Sequence, residues 1–343
     1  MTAPHARSGS FTSDSPCPKR RQRVFNPRPK VRRAGRACAP AASRRVDRSS
    51  WLQSRVPMGL APPATRIWLV CAVAIIAACG CSGSGKYNAN QAVLPWAEFD
   101  ENLVTVHNIR NTDYRTAEDY TVRHYDKTFD LEKLDSVDFL VVPFDGVPGG
   151  AHTFLSFGFD GEDYLAVSVE LRRRPGEDFA PIKSFTQPSE LMYVVGDERD
   201  LIQLRSIHWM SDVYMYRAQA PRAQLQAMFT SVMNRANKLR EEPENYNLIT
   251  NNCTTNIVRH INEITPNKVP YGYQVLFPAY SAQLANELGL IKIDGNFERT
   301  KQGARINEMA YVHRDSPDFS VKIREGHPTL ATRSWEIDRT PLR

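Results

Sequence analysis

The chain has 343 residues, 41% hydrophobic and 24% charged, with a formal net charge of +6. That is an ordinary globular composition with room for one large domain or two small ones. The positive balance is confined to the start: residues 1–57 hold 14 Lys/Arg against 2 Asp/Glu, Arg66 adds one more, and the rest holds 29 against 36. The folded part is therefore mildly acidic and gives no reason to expect a nucleic-acid partner. No glycine-rich phosphate loop is present, so no nucleotide or other cofactor is expected.

Residues 1–57 are rich in Arg, Ser, Pro and Ala and carry no apolar periodicity. They read as a misassigned start, or else as a disordered basic arm. Residues 58–79 read as a lipoprotein signal peptide. Met58 gives a start of ordinary signal length, Arg66 is the charged flank, and the run IWLVCAVAIIAAC (67–79) is shorter than a membrane span of about 20 residues. The tetrad Ile76-Ala77-Ala78-Cys79 looks like a lipobox, with Cys79 as the lipidation site. An ordinary secretory signal is the plain alternative. Residues 80–100 are a small, polar tether. The expected location is the periplasm, held by a lipid anchor to the inner or outer membrane.

Alternating polarity predicts strands over 104–116 and 119–131, and an apolar run predicts a core strand over 134–144. After the turn GVPGG (146–150), residues 151–159 and 164–174 form a hairpin pair. Residues 191–206 read as a strand or strand pair and 213–220 as a strand. From Pro221, apolar residues Leu225, Met228, Phe229, Val232, Met233, Ala236 and Leu239 recur every three or four positions, an amphipathic helix. Residues 254–264 are a second helix, and 281–291 a third with Gly289 as its cap. The fold class is α+β, an antiparallel sheet packed with helices. The main domain spans 101–295, and 296–343 is a polar C-terminal extension.

Of six cysteines, Cys17 and Cys38 lie in the doubtful arm, Cys71 in the signal, and Cys79 and Cys81 at the tether, so the folded domain keeps Cys253 alone. It has no partner for a structural disulfide. The string TNNCTTNIV places it at a helix start, where unpaired N–H groups and the macrodipole favour a thiolate and suit an oxyanion. In the hairpin, pairing the apolar faces forces residue numbers that sum to an even value. A sum of 322 sets His152 opposite Glu170; 324 sets it opposite Arg172 with Glu170 on the diagonal. Either way a carboxylate stands beside an imidazole on one side of the sheet. The site residues are thus Cys253 as nucleophile, His152 as base and Glu170 as its orienter. Arg172, Asn252, Thr254 and Thr255 are assigned to substrate or oxyanion binding; Arg172 has pairing with Glu198 or Asp200 as its plain alternative. The histidines show no metal-ligand spacing, and no metal site is expected.

Several segments resemble the Lnb N-terminal periplasmic domain family. They are IRNTDYRT, YDKTFDLEKLDSVDF, AHTFLSFGF, SVELRRRPGE, YVVGDERDLIQLR, VYMYR, YNLITNNCTTNI and DFSVKIR, in order over about residues 103–326. His152, Glu170, Arg172, Asn252, Cys253, Thr254, Thr255 and Asn256 stand where the family's motifs stand. The turn FDGVPGG departs from the tryptophan that members often carry before the histidine. The order His, Glu, then Cys on a helix also resembles the circularly permuted papain-like group, which includes NlpC-type amidases and lecithin:retinol-acyltransferase-like enzymes. That resemblance implies a thiol hydrolase or acyltransferase acting on an amide or ester bond, with a peptidoglycan peptide or a lipid as substrate. The alternative is a non-catalytic envelope protein on the same fold, a binding or scaffold protein, with lipid as one ligand it would take.

Overall fold

The computed structural model describes residues 86–177 and 189–336. The arm, the signal peptide, Cys79 and residues 80–85 of the tether lie outside the described residues. The strands are β1 (Trp96–Asp100), β2 (Leu103–Arg110), β3 (Asp113–Tyr114), β4 (Tyr120–Thr121), β5 (His124–Asp130), β6 (Leu134–Pro143), β7 (Ala151–Phe159), β8 (Asp163–Arg172), β9 (Glu190–Asp197) and β10 (Tyr214–Arg217). The helices are α1 (Glu198–Gln203), α2 (Arg222–Glu241), α3 (Cys253–Ile264), α4 (Tyr273–Leu276), α5 (Ser281–Glu287), α6 (Phe297–Gly303), α7 (Asn307–Val312) and α8 (Phe319–Lys322).

Among the described residues, β1-β2-β9-β8-β7-β6-β10 run side by side in one sheet, with β5 also on β2. The class is α+β, as the run of strand patterns followed by helix patterns implied. Pairing is antiparallel except where β2 meets β9 in parallel at Arg110↔Gly196. The strands expected over 104–116 and 119–131 are shorter, and their inner ends peel off as the two-stranded β3–β4 ribbon.

Strands β6 to β9 are buried on both faces. One face carries Leu155, Phe157, Leu165, Val167 and Val195 into the larger core beneath α2 and α3. The other carries Leu140, Phe154, Ala166 and Val194 into a second core. All seven residues that marked the long helix are buried in α2, because their spacing makes one apolar stripe. Phe229 is its centre, meeting Phe157 at 5.1 Å and Phe159 at 5.4 Å edge-to-face.

Two expectations change. Residues 191–206 are not a strand pair: β9 ends at Asp197, whose side chain accepts from Arg199 N–H and starts α1, followed by a π-helical turn over Leu204–His208. The cap residue and the acidic first turn outweigh the β-branched run before them. Residues beyond 295 also pack closely. Ile306, Ala310, Phe319, Ile323 and Leu330 close the second core; they are spaced too irregularly to show a period.

Phe229 is fully buried, so Phe229→Ala leaves a cavity. It should cost about 3–5 kcal/mol of stability, seen as a lower urea midpoint with little change in slope.

Candidate active site

The register of β7 on β8 runs from Phe154↔Ser168 to Phe159↔Asp163, a sum of 322. Continued two residues further, it sets His152 opposite Glu170, the first of the two arrangements the hairpin allowed. The carboxylate does not touch the imidazole, however. His152 Nε2 lies 2.7 Å from Ser168 Oγ, and Ser168 Oγ donates to Glu170 Oε1 at 3.0 Å. Ser168 therefore stands between the two residues, a position the sequence pattern did not single out.

Glu170 is fixed from behind by Arg205, whose Nη2 lies 2.7 Å from its Oε1 and also reaches Ser168 Oγ at 3.3 Å. Burial by itself raises the Glu170 pKa, but the charges of Arg205, Arg110 and His152 and the Ser168 hydroxyl bring it down to about 2. Arg205 was missed because its segment read as strand. The signal was present in the Asp197 cap followed by ERDLIQLR, which is helical in pattern.

Cys253 opens α3. Asn252 is the N-cap: its side chain accepts from Thr255 N–H at 2.9 Å, while Thr255 Oγ1 accepts from Asn252 N–H at 2.8 Å. This is a reciprocal capping box. Asn252 and Thr255, assigned above to substrate or oxyanion binding, instead have their polar groups committed to holding the helix start. Asn256 is also committed, donating to Asn251 Oδ1 and Asn252 O.

Cys253 packs with the larger core, in company with Leu155, whereas His152 shares its strand face with Phe154 of the second core. The two residues come from opposite sides of the sheet and meet at the end of the β7–β8 ladder. There His152 and Thr153 are close enough to the sulfur to favour its charged form. With Nε2 held by Ser168, Nδ1 is the ring nitrogen left for Cys253. Thr254 Oγ1 is 3.8 Å from the sulfur and 3.0 Å from Thr153 Oγ1. Burial pushes the thiol pKa up. The His152 charge and the hydrogen bonds from His152 and Thr153 outweigh it, and the thiol is brought down to about 6.

Arg172 lies away from the sulfur. Its guanidinium pairs with Glu190 at 3.2 Å, donates to the carbonyls of Gln91 and Ala92 at 2.9 and 2.7 Å, and covers the Tyr87 ring at 3.7 Å. It anchors the entering chain. The alternative pairing with Glu198 or Asp200 does not form either: Glu198 pairs with Arg324 and Asp200 with Arg110.

Residues 120–279 match the model of the Lnb N-terminal periplasmic domain, and every residue placed around the sulfur falls inside that span. The chain carries an Lnb domain. The match is narrower than the resemblance traced over 103–326: β1, β2, β3 and the helices beyond 279 lie outside it. Comparison with curated proteins and with solved structures returns no match. The family is named for a periplasmic domain, which agrees with the compartment expected from the sequence. Among the described residues, no helix is long and apolar enough to cross a membrane.

The Lnb domain thus assembles a thiol, an imidazole, a hydroxyl, a carboxylate and a guanidinium in one polar chain. Alkylation of Cys253 should be half-maximal near pH 6, because a lowered thiol pKa leaves the thiolate dominant at every higher pH. The residue is 5% exposed, so iodoacetamide is the suitable reagent. In His152→Ala the midpoint should rise to the free-thiol value of about 8.5 or above, slowing labelling at pH 7. In Ser168→Ala a smaller upward shift is expected; an unchanged midpoint there would remove Ser168 from the chain of positioning residues.

Proposed function

We propose that this is an envelope lipoprotein, anchored through Cys79, whose Lnb domain cleaves an acyl ester or amide through Cys253 and passes the acyl group to water or to an amine or hydroxyl acceptor. One observation carries the reading: Cys253 heads a capped helix with Thr254 beside its sulfur and the bonded chain His152–Ser168–Glu170 at the same sheet end, a setting that lowers the thiol pKa. A buried structural thiol has no use for such a setting.

The Cys253 thiolate attacks the carbonyl carbon, and the carbonyl electron pair moves to oxygen. Backbone N–H groups at the start of α3 face the developing oxyanion. The oxyanion collapses, the C–O or C–N bond breaks, and the His152 imidazolium donates its proton to the leaving group. A thioester remains on Cys253. The acceptor then attacks it, His152 takes the acceptor's proton, and the C–S bond breaks to return the thiolate. Glu170, acting through Ser168, keeps the ring oriented. A permuted papain-like arrangement accommodates these roles.

Of the two substrate classes, a lipid acyl chain fits better than a peptidoglycan peptide. An apolar cavity of about 130 Å³ reaches Thr254, next to the nucleophile, and is lined by Leu155, Leu225, Met228, Ile257 and Ile261 among others. Cavities of this size hold a benzene-sized guest. The alternative reading, a binding protein that retains an acyl chain without chemistry, draws on the same cavity and on the small exposure of Cys253.

The test is intact-protein mass spectrometry after exposure to nitrophenyl acyl esters. A transient acyl adduct on Cys253 is expected, lost in Cys253→Ala. Hexanoyl should exceed butyryl roughly tenfold in kcat/KM, from two more methylenes at ~0.8 kcal/mol each. Retention of the acyl compound with no adduct and no turnover would leave the binding reading in its place.

A further inference from the structure

The end of the sheet that carries the site also carries a contiguous apolar rim. Registers Pro143↔Ala151 and Arg172↔Glu190 set the ends of β6, β7, β8 and β9 side by side. Beyond them lies the turn after Phe144, with Val147 52% exposed. Gly149 has φ +76° and passes so close to Phe277 that a Cβ there would meet the ring at 2.9 Å, and Ala279 N–H bonds Gly149 O at 3.1 Å. The turn and the segment around α4 therefore form one surface. On that segment Tyr271 is 62%, Tyr273 60%, Leu276 48%, Phe277 48% and Tyr280 45% exposed.

Three observations indicate what covers this surface. First, from Val269 to Asn286 there is no Asp, Glu, Lys or Arg, whereas a surface that meets only water is normally interspersed with charge. Its tyrosines have the apolar body and polar tip suited to a membrane–water boundary. Second, the same segment turns Val269, Val275 and Leu284 inward, where they line the apolar cavity that reaches Thr254. Third, the chain enters at this end. Lys86 and Tyr87 both bond Glu190, and only the residues between Cys79 and Lys86 separate this contact from the proposed lipidation site, at most about 25 Å of extended chain.

We infer that the rim formed by the turn after Phe144 and residues 271–280 seats the domain on a lipid bilayer surface, placing the mouth of the cavity beside Cys253 at the membrane boundary. The inference rests on the acyl-transfer reading for its purpose, and on the rim alone for its test. Residues 271–280 insert among headgroups and acyl ends, and a chain drawn from the bilayer reaches the cavity without crossing water.

The experiment uses the compact unit from residue 79 onward, carrying Cys79→Ser, so that no lipid anchor, basic arm or apolar signal segment contributes. It is sedimented with vesicles of phosphatidylethanolamine and phosphatidylglycerol. The parent chain should co-sediment. Adding Tyr271→Ser, Tyr273→Ser and Leu276→Ser should lower the bound fraction at least about tenfold. Adding instead Tyr311→Ser and Val312→Ser, a pair 59% and 61% exposed elsewhere on the chain, should leave it unchanged. Absence of vesicle binding by the parent, equal loss in both variants, or sedimentation velocity showing the rim covered by a second copy overturns the inference. Thermal melting identifies any variant that has not folded; single substitutions at Tyr271 and Tyr273 then replace the triple. Iodoacetamide labelling of the same samples, read on the peptide that holds Cys253, reports on that thiol independently, so loss of seating and failure of the thiol reading are told apart.

Discussion

The pairing of Phe154 with Ser168 decides where every polar group of the site lies. It sets His152 and Glu170 on the same strand face with Ser168 between them, and it leaves Thr153 on the opposite face, where its hydroxyl meets Thr254. Because side chains alternate along a strand, a slip of one residue would send His152 into the larger core and Thr153 into the second. Both faces of β7 are packed, so either misplacement buries a polar group without its partner. Register here is held by two cores at once.

On that frame the sulfur is balanced between opposing effects. Burial in an apolar environment favours the neutral thiol; the imidazole, the Thr153 donors and the helix start favour the thiolate. The second set wins, the His152 charge being its largest member, and the thiol is brought down to about 6. The imidazole is bonded at its far nitrogen, and the helix start is closed by the Asn252–Thr255 box, so neither loses much freedom on meeting the sulfur. Glu170 is held in its charged form by Arg205 and Arg110.

The part of the chain beyond 295 is tied to the sheet by a second ionic group. Asp138 of β6 accepts from Arg217 at 2.7 Å and from Arg324 at 2.8 Å, and Arg324 reaches Glu198 at 2.6 Å, all of them almost fully buried. Two carboxylates and two guanidiniums nearly cancel in charge. Removing one member of such a group strands its partners without solvent, at about 3–5 kcal/mol. The network joins β6, β10, α1 and α8's end, and so keeps Phe319 and Ile323 against the second core.

Sequence alone determined the elements whose patterns are local. The 3.6-residue stripe of α2, the alternation of β7 and β8 and the cap residues before α3 each express a short-range rule, and together they placed Cys253 at a helix start and His152 beside Glu170. The switch from β9 to helix after Asp197 was legible in its cap but masked by the apolar run before it. Tertiary structure decided the rest: that Cys253 and His152 approach from opposite faces, that Ser168 intervenes before Glu170, that Arg205 backs the pair, and that Arg172 instead holds the entering chain. Those contacts join residues up to about a hundred positions apart, and no period or spacing encodes them. They exist because two cores clamp one sheet, and only the packed molecule fixes which strand ends and which helix start share a corner.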